Sequence, residues 1–549
     1  MRVERKKDHP SLAFSKRLAF ALFVIIFLLA ACQKNESPNE SLVFHYNQHN
    51  NITSLDPAYA KSQNNIWATH HLYSTLLSLD EQLNIQPSIA KSWKVDSKGT
   101  EYSFFIHQNI TFHENECFSP LSTRKLVAND IVYSFSRLID TTLNAPGSWI
   151  FKNRVTDEKP FSSIGDSIFI LRLKEPFAPL LSLLTMQYCS IVPQEAIEFY
   201  GTKFHRNPVG TGPFKFKTWL DNQGLFIIKN ENYFLADQRE RSNLKGIRTS
   251  FIGERSLAYL ELINNRLDFF SGLESSYINT ALTPTGQLKE KYDSRIQFLK
   301  APYLNFEYFG MNPDAPDAHP LLSDLNFRQA LNYAIDREMM LRSLRNNVGK
   351  PADAGVITRG LPSYDPSSVT GYTFNRNKAI TLIEKYGNDL IQQPLIISTS
   401  KDYLDLTTFV AKQWENIGLN VEIQVMESAT LRNAMRNGDV GLFRASWIAD
   451  YPDGENFLSM FFGQNPAPPN YTRYQNARYD SLYLEALKES DIDMKLERYQ
   501  ELDRIIVKDA PVIFLFYDEV ALFANSRVDG LSLNGLNLLQ VDNIRINNE

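Results

Sequence analysis

The alternation of apolar and polar residues predicts strands and helices that follow one another in the second half of the chain. Residues 395–398 form a short apolar run typical of a strand, and 407–417 carry apolar residues at helical spacing up to Gly418. Positions 419–425 then alternate between apolar and polar, which indicates another strand. Two strands joined by a long helical crossover form a βαβ unit, so we expect a parallel or mixed sheet here.

A boundary between two structural units is predicted between residues 301 and 345. Residues 303–311 have the composition of a strand, 312–319 are rich in Pro and Asp, and a helix follows with Ser323 or Asp324 as its N-cap. One face of this helix is apolar and consists of Phe327, Leu331, Ala334 and Ile335. Further along, the pattern predicts a helix over 493–507 and a buried apolar run over 511–517.

The first half of the chain is predicted to be richer in strands. The Gly-rich stretch 208–214 lacks the Gly-Lys-Ser/Thr of a phosphate-binding loop and leads into a strand, so we interpret it as a tight turn. The elements predicted in this half are strands at 42–46, 102–106 and 214–219, a turn at 54–57 and a helix at 130–137.

The N-terminus has the features of a bacterial signal peptide. Six Lys and Arg residues lie within 1–17, and 18–29 form a continuous apolar run of twelve residues, too short to span a bilayer comfortably. The run ends in Leu29-Ala30-Ala31-Cys32, which resembles a bacterial lipobox, so we expect cleavage before Cys32 and lipidation of that residue. Residues 33–40 contain no large apolar side chain and form a predicted flexible tether. An uncleaved anchor helix is the alternative.

Charge and cysteine content narrow the range of partners. The predicted cleavage leaves 518 residues with 51 Lys and Arg against 60 Asp and Glu, a net charge of −9. This balance argues against a nucleic acid partner, and the length predicts two or three lobes. Beyond Cys32 only Cys117 and Cys189 occur. An envelope location permits a disulfide between them, but the sequence leaves that question open.

Residues 443–453 place an acid, a base and aromatic side chains close together. Arg444, Trp447, Asp450 and Tyr451 lie in or just after an apolar run, and a proline stiffens the turn that follows. A carboxylate in a dry cleft can meet a cation while the arginine meets an anion, which suits a zwitterionic ligand. The simpler interpretation is that Asp450 caps a turn and Arg444 lies on the surface.

Motifs along nearly the whole chain, from about residue 42 to 539, resemble those of one protein family. They stand in the order and spacing of solute-binding family 5, the periplasmic or lipid-anchored proteins that feed peptide and nickel ABC transporters. Glu114-Asn115 departs from the family's Asp-Gly at one turn. The matching motifs are S-L-D-P at 54–57, P-V-G-T-G-P-F at 208–214, F-R-Q-A-L-N-Y-A-I-D-R at 327–337 and W-I-A-D-Y at 447–451.

The resemblance implies an α/β protein with the two-lobed periplasmic-binding-protein fold of type II, cluster C. A ligand cleft separates the lobes, and an extra subdomain is inserted into lobe I. The implied segments are a signal peptide (1–31), a lipidated Cys with its tether (32–41), lobe I (42–77, 207–302 and 518–549), the inserted subdomain (78–206) and lobe II (303–517).

For the amino end of a peptide, the resemblance implies a site on residues 446–451. In the family the Asp of the W-x-A-D-Y word receives the α-amino group, which gives this role to Asp450. Trp447 and Tyr451 would wall the pocket. The main chain of Ser446 and Ile448 would pair with the peptide by strand addition, which gives affinity without selecting its side chains.

For the carboxyl end, the resemblance implies a cationic site. Arg444 matches the family position that meets the carboxylate of short peptides, and Arg345 matches a Lys with a similar role. Tyr403 stands where some relatives carry a carboxylate-binding His, which weakens any inference about peptide length. A surface position is the simpler interpretation for Arg345.

The implied function is capture of short peptides for uptake by an ABC permease and its ATPase. The protein would be a monomer, held at the membrane by Cys32, without a cofactor, a metal or a catalytic residue. The same scaffold could instead carry a murein tripeptide, a dipeptide, nickel, haem or a sugar. An envelope hydrolase is the alternative of another class, but no nucleophile or metal motif supports it, and His70-His71 fits a helix surface better than a metal site.

Overall fold

One eleven-stranded sheet extends through both lobes of the molecule. The structure is a computed structural model, and it describes residues 42–239, 242–272 and 275–547. The strands of the described residues are β1 (Val43–Asn47), β2 (Leu77–Leu79), β3 (Ile85–Pro87), β4 (Ala90–Val95), β5 (Glu101–Ile106), β6 (Phe161–Ile164), β7 (Ile168–Arg172), β8 (Phe214–Leu220), β9 (Gly224–Lys229), β10 (Gly246–Ser250), β11 (Phe269–Ser271), β12 (Ile296–Met311), β13 (Lys350–Pro351), β14 (Leu395–Ser400), β15 (Val421–Met426), β16 (Leu442–Ile448), β17 (Val512–Asn525), β18 (Val528–Asp529) and β19 (Arg545–Ile546).

The helices begin where polar caps satisfy the first free N–H groups. Ser62, Asp324 and Asp491 each accept a hydrogen bond from the first turn of the helix that follows. The described α-helices are α1 (Gln63–Leu72), α2 (Ala128–Ile139), α3 (Leu180–Leu183), α4 (Gln194–Tyr200), α5 (Arg255–Ile263), α6 (Ser275–Ala281), α7 (Leu325–Tyr333), α8 (Arg337–Arg345), α9 (Arg376–Ile383), α10 (Asn388–Ile391), α11 (Leu404–Glu415), α12 (Ser428–Asn437), α13 (Glu455–Leu458), α14 (Ala477–Lys488) and α15 (Ile492–Asp509).

Two long strands connect the lobes. The sheet order is β15-β14-β16-β12-β17-β11-β1-β10-β9-β8, and β13 pairs with β17. β12 and β17 are antiparallel along both lobes, and their register shifts between Pro302 and Phe306. The strand predicted at 303–311 is thus the second half of β12, and the run predicted at 511–517 is the first half of β17.

Lobe II has a hydrophobic core on each face of its sheet. Alternate residues of β12 face opposite sides, so that Phe306 and Tyr308 enter one core while Phe309 and Met311 enter the other. The predicted βαβ unit is confirmed, since β14 and β15 pair in parallel across α11. The predicted apolar face of α7 and the residues that follow it is also buried.

The inserted subdomain has its own four-stranded antiparallel sheet, ordered β4-β5-β7-β6. Helix α2 packs on this sheet through Phe135, which lies within 5.4 Å of the Phe169 ring centroid. Arg137 of α2 donates to both carboxylate oxygens of Asp56, 2.5 Å away at the shorter contact. This ion pair ties the predicted turn at 54–57 to the subdomain.

The Gly-rich stretch 208–214 packs against the end of α1. A Cβ on Gly210 or Gly212 would overlap the backbone of Leu72, so only glycine fits this approach. Gly212 also accepts a 2.9 Å hydrogen bond involving Nε2 of the buried His113. The predicted role as a turn before a strand is confirmed, because β8 begins at Phe214.

Two expectations from sequence concern single side chains. The pair His70-His71 lies on α1 as expected, but His71 is 1% exposed, so the prediction of a surface position is wrong for it. Its ring packs edge-on against Phe214, which draws it into the core. Cys117 and Cys189 are both free thiols.

Some predictions fall on parts of the chain that the structure leaves undescribed. The signal peptide, Cys32 and the whole of the predicted tether lie outside the described residues. Within the described residues, no helix is long and apolar enough to span a membrane. The predicted limits of the lobes and of the inserted subdomain stay predictions.

Candidate ligand site

A cavity of about 350 Å³ lies between the lobes. Lobe I contributes the start of α1, the subdomain contributes residues 185–188, and lobe II contributes the end of β16 with the turn after it. The segment 536–538 forms a further wall, where the Asn537 carbonyl accepts a 2.7 Å hydrogen bond from Nε1 of Trp67. Of the predicted binding residues, Ile448 and Asp450 line this cavity.

Asp450 directs a charged group into the cavity. Its side chain is exposed to the water of the cleft, yet the surrounding protein desolvates the carboxylate enough to raise its pKa to about 6. Among the described residues, none donates a hydrogen bond to this carboxylate or forms an ion pair with it. Tyr188 is the ionisable neighbour, and burial together with the charge of Asp450 raises its pKa. Asp450 is therefore a carboxylate in a partly dry cleft, without a counter-ion among the described residues.

The residue after Asp450 anchors this turn. Tyr451 is 4% exposed, so its side chain is turned away from the cavity and packs 6.2 Å from the ring of Trp149. Its hydroxyl donates to the buried carboxylate of Glu455, and the hydroxyl of Tyr483 donates to the other oxygen of Glu455. Burial raises the pKa of Glu455 above its ordinary value. Tyr451 therefore fixes the position of Asp450 without lining the cavity.

The strand before Asp450 is held by its neighbour in the sheet. Ser446, Trp447 and Ile448 of β16 pair with Glu307, Phe306 and Asn305 of β12. Trp447 donates from Nε1 to Oδ1 of Asn456 at 2.8 Å, and Ile448 is 48% exposed toward the cleft. One edge of β16 is thus already paired through Ile448.

Arg444 is a buried residue whose charge is already neutralised. It lies diagonally across from Glu307 on the same face of the sheet, and its guanidinium donates to the Glu307 carboxylate. The guanidinium carbon also lies 3.0 Å from the ring centroid of Tyr403. Burial raises the pKa of Glu307, while the charge of Arg444 opposes that shift. The structure thus brings Arg444 and Tyr403 together, as a closed cluster outside the cavity.

Arg345 joins the same network through a second acid. Its guanidinium donates to Asp518 and lies 4.8 Å from the ring of Phe516. Asn305 links the two ion pairs, because its amide donates to Glu307 at 3.1 Å and to Asp518 at 3.4 Å. The two arginines and two acids balance one another in charge.

The lobes also touch beside the cavity. The N–H of Ala178 in the subdomain donates to the carbonyl of Leu487 in lobe II at 2.8 Å. Glu175 and Lys488 form an ion pair of 2.5 Å next to that bond. Together with the contact between Trp149 and Tyr451, these interactions hold the subdomain against lobe II.

Sequence reasoning missed several residues of this region. Glu307 and Asp518 gave no signal, since each lies far along the chain from its arginine, by 137 and 173 positions. Lys61 and Tyr188 line the cavity, but neither stands in a recognisable motif. Within the described ranges, no group of three or more His, Cys, Asp and Glu side chains is arranged to hold a metal ion.

Comparison with known proteins identifies the scaffold. The family model described as bacterial extracellular solute-binding proteins, family 5 Middle, matches residues 84–469. The chain belongs to this family. Members of this family are extracellular solute-binding proteins.

Individual relatives of this family 5 protein match over almost their full length. The chain is 25% identical to heme-binding protein A of Haemophilus influenzae, covering 90% of this chain and 93% of that protein. It is 24% identical to the periplasmic oligopeptide-binding protein OppA of Salmonella typhimurium, covering 86% of each. Among solved structures, the periplasmic binding protein DppA of Helicobacter pylori in complex with the peptide STSA matches with a TM-score of 0.74 at 22% identity, covering 92% of this chain and 98% of that one. The two-lobed α/β fold is thereby shown.

Proposed function

We propose that this protein is the substrate-binding component of an ABC transporter and captures short peptides in the cleft between its lobes. The observation that carries the proposal is the carboxylate of Asp450, which lines the interlobe cavity and lacks a counter-ion among the described residues. An α-ammonium group supplies the missing charge, and a charge-assisted hydrogen bond of this kind contributes about 1.5–3 kcal/mol. The names of the peptide-binding relatives support a peptide as the cargo.

The proposal extends to location and partners. The protein would lie in the bacterial cell envelope, in the periplasm or at the outer face of the cytoplasmic membrane, held by a lipid on Cys32. The tether would let it reach an ABC permease and its ATPase. The protein would act as a monomer and a carrier rather than as an enzyme, because the ligand groups it offers bind charge and supply no nucleophile. The predicted roles of the Ser446 and Ile448 main chains as partners of the peptide belong to this proposal, whereas the predicted wall residue Trp447 lies outside the cavity lining.

Titration calorimetry tests the amine site. A tripeptide with a free N-terminus should bind, and its N-acetyl form should bind at least tenfold more weakly, since acetylation removes the charge that Asp450 needs. Asp450→Asn should weaken binding of the free tripeptide by about 2 kcal/mol or more. It should also reduce the difference in affinity between the free and the N-acetyl tripeptide.

Asp293→Asn is the matched control, because Asp293 is an exposed carboxylate outside the cavity. It should bind both ligands as the unmodified protein does. Equal affinity of the unmodified protein for free and acetylated peptides would show that Asp450 is not an amine site.

A further inference from the structure

Lys61 and Asp450 line the same cavity from opposite lobes. Lys61 lies just before α1 in lobe I, and Asp450 follows β16 in lobe II. The other residues that line this cavity are uncharged. The cavity therefore has one cationic and one anionic side chain among its described lining.

Neither charge is satisfied within the part of the chain that the structure describes. No ion pair of 4 Å or less joins Lys61 and Asp450 to each other or to another described residue. The backbone N–H of Lys61 donates to the carbonyl of Tyr59 at 2.8 Å, which fixes the start of the side chain at the cavity rim. A ligand that offered one ammonium and one carboxylate would neutralise both groups at once.

The arginines predicted to bind a carboxylate are less suited to that task. Arg444 is bound to Glu307 and Arg345 to Asp518, and neither arginine lines the cavity. A ligand carboxylate would have to displace a buried acid from either arginine, which leaves that acid without its partner. Lys61 is exposed and needs no such exchange.

We propose that Lys61 is the residue that binds a ligand carboxylate, and that the cavity selects small zwitterions of dipeptide size. This inference rests on the proposed function, because it takes Asp450 as the site of the α-ammonium group. The volume of about 350 Å³ lies at the small end of ligand sites, which span roughly 300–1,000 Å³. Since the two charges belong to different lobes, a bound dipeptide would hold the lobes together. The same chemistry could come from the α-carboxylate of a dipeptide or from an acidic side chain of a longer peptide.

Calorimetry with four probes separates these sources: alanyl-alanine, its C-terminal amide, trialanine amide and alanyl-glutamyl-alanine amide. Lys61→Ala should weaken the binding of alanyl-alanine about tenfold or more and leave the binding of its amide unchanged, because only the acid form has a carboxylate for Lys61 to bind. Lys61→Glu should bind the amide more tightly than the acid. Lys98→Ala, an exposed lysine in a turn of the inserted subdomain, should bind every probe as the unmodified protein does.

The outcomes are distinct. If Lys61→Ala weakened the binding of alanyl-glutamyl-alanine amide alone and left that of trialanine amide unaffected, Lys61 would bind a side-chain carboxylate. That result would overturn the proposed selection of dipeptides. Equal effects of Lys61→Ala on acid and amide, or no effect, would overturn the role of Lys61 while leaving the proposed function intact if Asp450→Asn still weakens binding. Failure of all four probes to bind the unmodified protein would overturn both. Thermal unfolding of each variant verifies that the fold is retained.

Discussion

The guanidinium of Arg444 donates to the carboxylate of Glu307, its diagonal neighbour on the adjacent strand of the central sheet. Both groups are buried, at 8% and 5% side-chain exposure. This pairing changes what a substitution at Arg444 is expected to do. The sequence resemblance predicts that a substitution weakens the binding of short peptides, whereas the buried ion pair predicts that it lowers the stability of the fold.

Arg444→Ala should destabilise the protein by about 3–5 kcal/mol, because it leaves Glu307 buried without a counter-charge. The double variant Arg444→Met with Glu307→Gln should recover most of that loss. Urea unfolding at pH 7 measures both. An Arg444→Ala protein with unchanged stability and selectively lost dipeptide binding would restore the carboxylate-site interpretation.

Peptide binding should weaken as the pH falls below about 6. Burial raises the pKa of the Asp450 carboxylate to about 6, and only its ionised form attracts an ammonium group. The apparent affinity should therefore fall about tenfold per pH unit below that value, and binding there should release a proton. Calorimetry in buffers of different ionisation enthalpy measures the release. Asp450→Asn should show neither effect, while a flat profile in the unmodified protein between pH 7 and 4.5 would contradict the assignment.

Gly212→Ala should destabilise the fold by about 1–3 kcal/mol. Its new Cβ would meet the backbone at Leu72 and lie 2.6 Å from the backbone nitrogen of Tyr73, and neither atom can move without shifting the end of α1. Gly253→Ala is the control, since its nearest neighbour is an ordinary contact at 3.6 Å. Thermal unfolding should separate the two variants. Equal midpoints would show that the turn relaxes freely.

Trp149→Ala should weaken peptide binding even though Trp149 makes no contact with the ligand. Trp149 lies outside the cavity lining and packs on Tyr451 of lobe II. Its loss should therefore favour the open conformation, in which the lobes are separated. An equilibrium shifted away from the closed state lowers the apparent affinity by the same factor. Small-angle scattering should show a larger radius of gyration for the variant and contraction on adding peptide. Trp93→Ala, at a partly buried tryptophan on β4, is the matched control and should leave both measurements unchanged.

Cys32→Ser should convert the protein from the detergent phase to the aqueous phase in detergent partitioning. The prediction follows from the lipobox-like sequence, since lipidation of the Cys32 thiol and amine would be the membrane attachment. Ala31→Gly, which keeps a small residue before the cysteine, should stay in the detergent phase. A Cys32→Ser protein that still partitions with detergent would contradict lipid anchoring at this residue.

Local patterns made much of the fold predictable. The start of α7 at the Asp324 cap, its buried face and the parallel pair β14 and β15 all follow from residues a few positions apart. The motif around Asp450 is similarly local, and it led to a residue that lines the cavity.

Contacts between distant segments could not be predicted in this way. The partners of Arg444 and Arg345 depend on the register of β12 and β17, which no short pattern encodes. The family resemblance implied that Tyr451 walls the pocket, but its side chain is buried beside Trp149 and does not line the cavity. Lys61 had no distinguishing neighbours, and only the folded cavity sets it opposite Asp450.

The position of β17 in the sheet has a consequence for how the cleft forms. This strand lies between β12 and β11, and β11 pairs in turn with β1 at the start of the described chain. Until residues 512–525 are synthesised, β11 and β12 each present an open edge, which invites pairing with other chains. The cavity wall needs Asn537 as well, 470 positions after Trp67. The chain therefore cannot bind ligand until its C-terminal strand and residue 537 have folded into place. Fragments that lack this strand are expected to aggregate rather than to retain part of the binding activity.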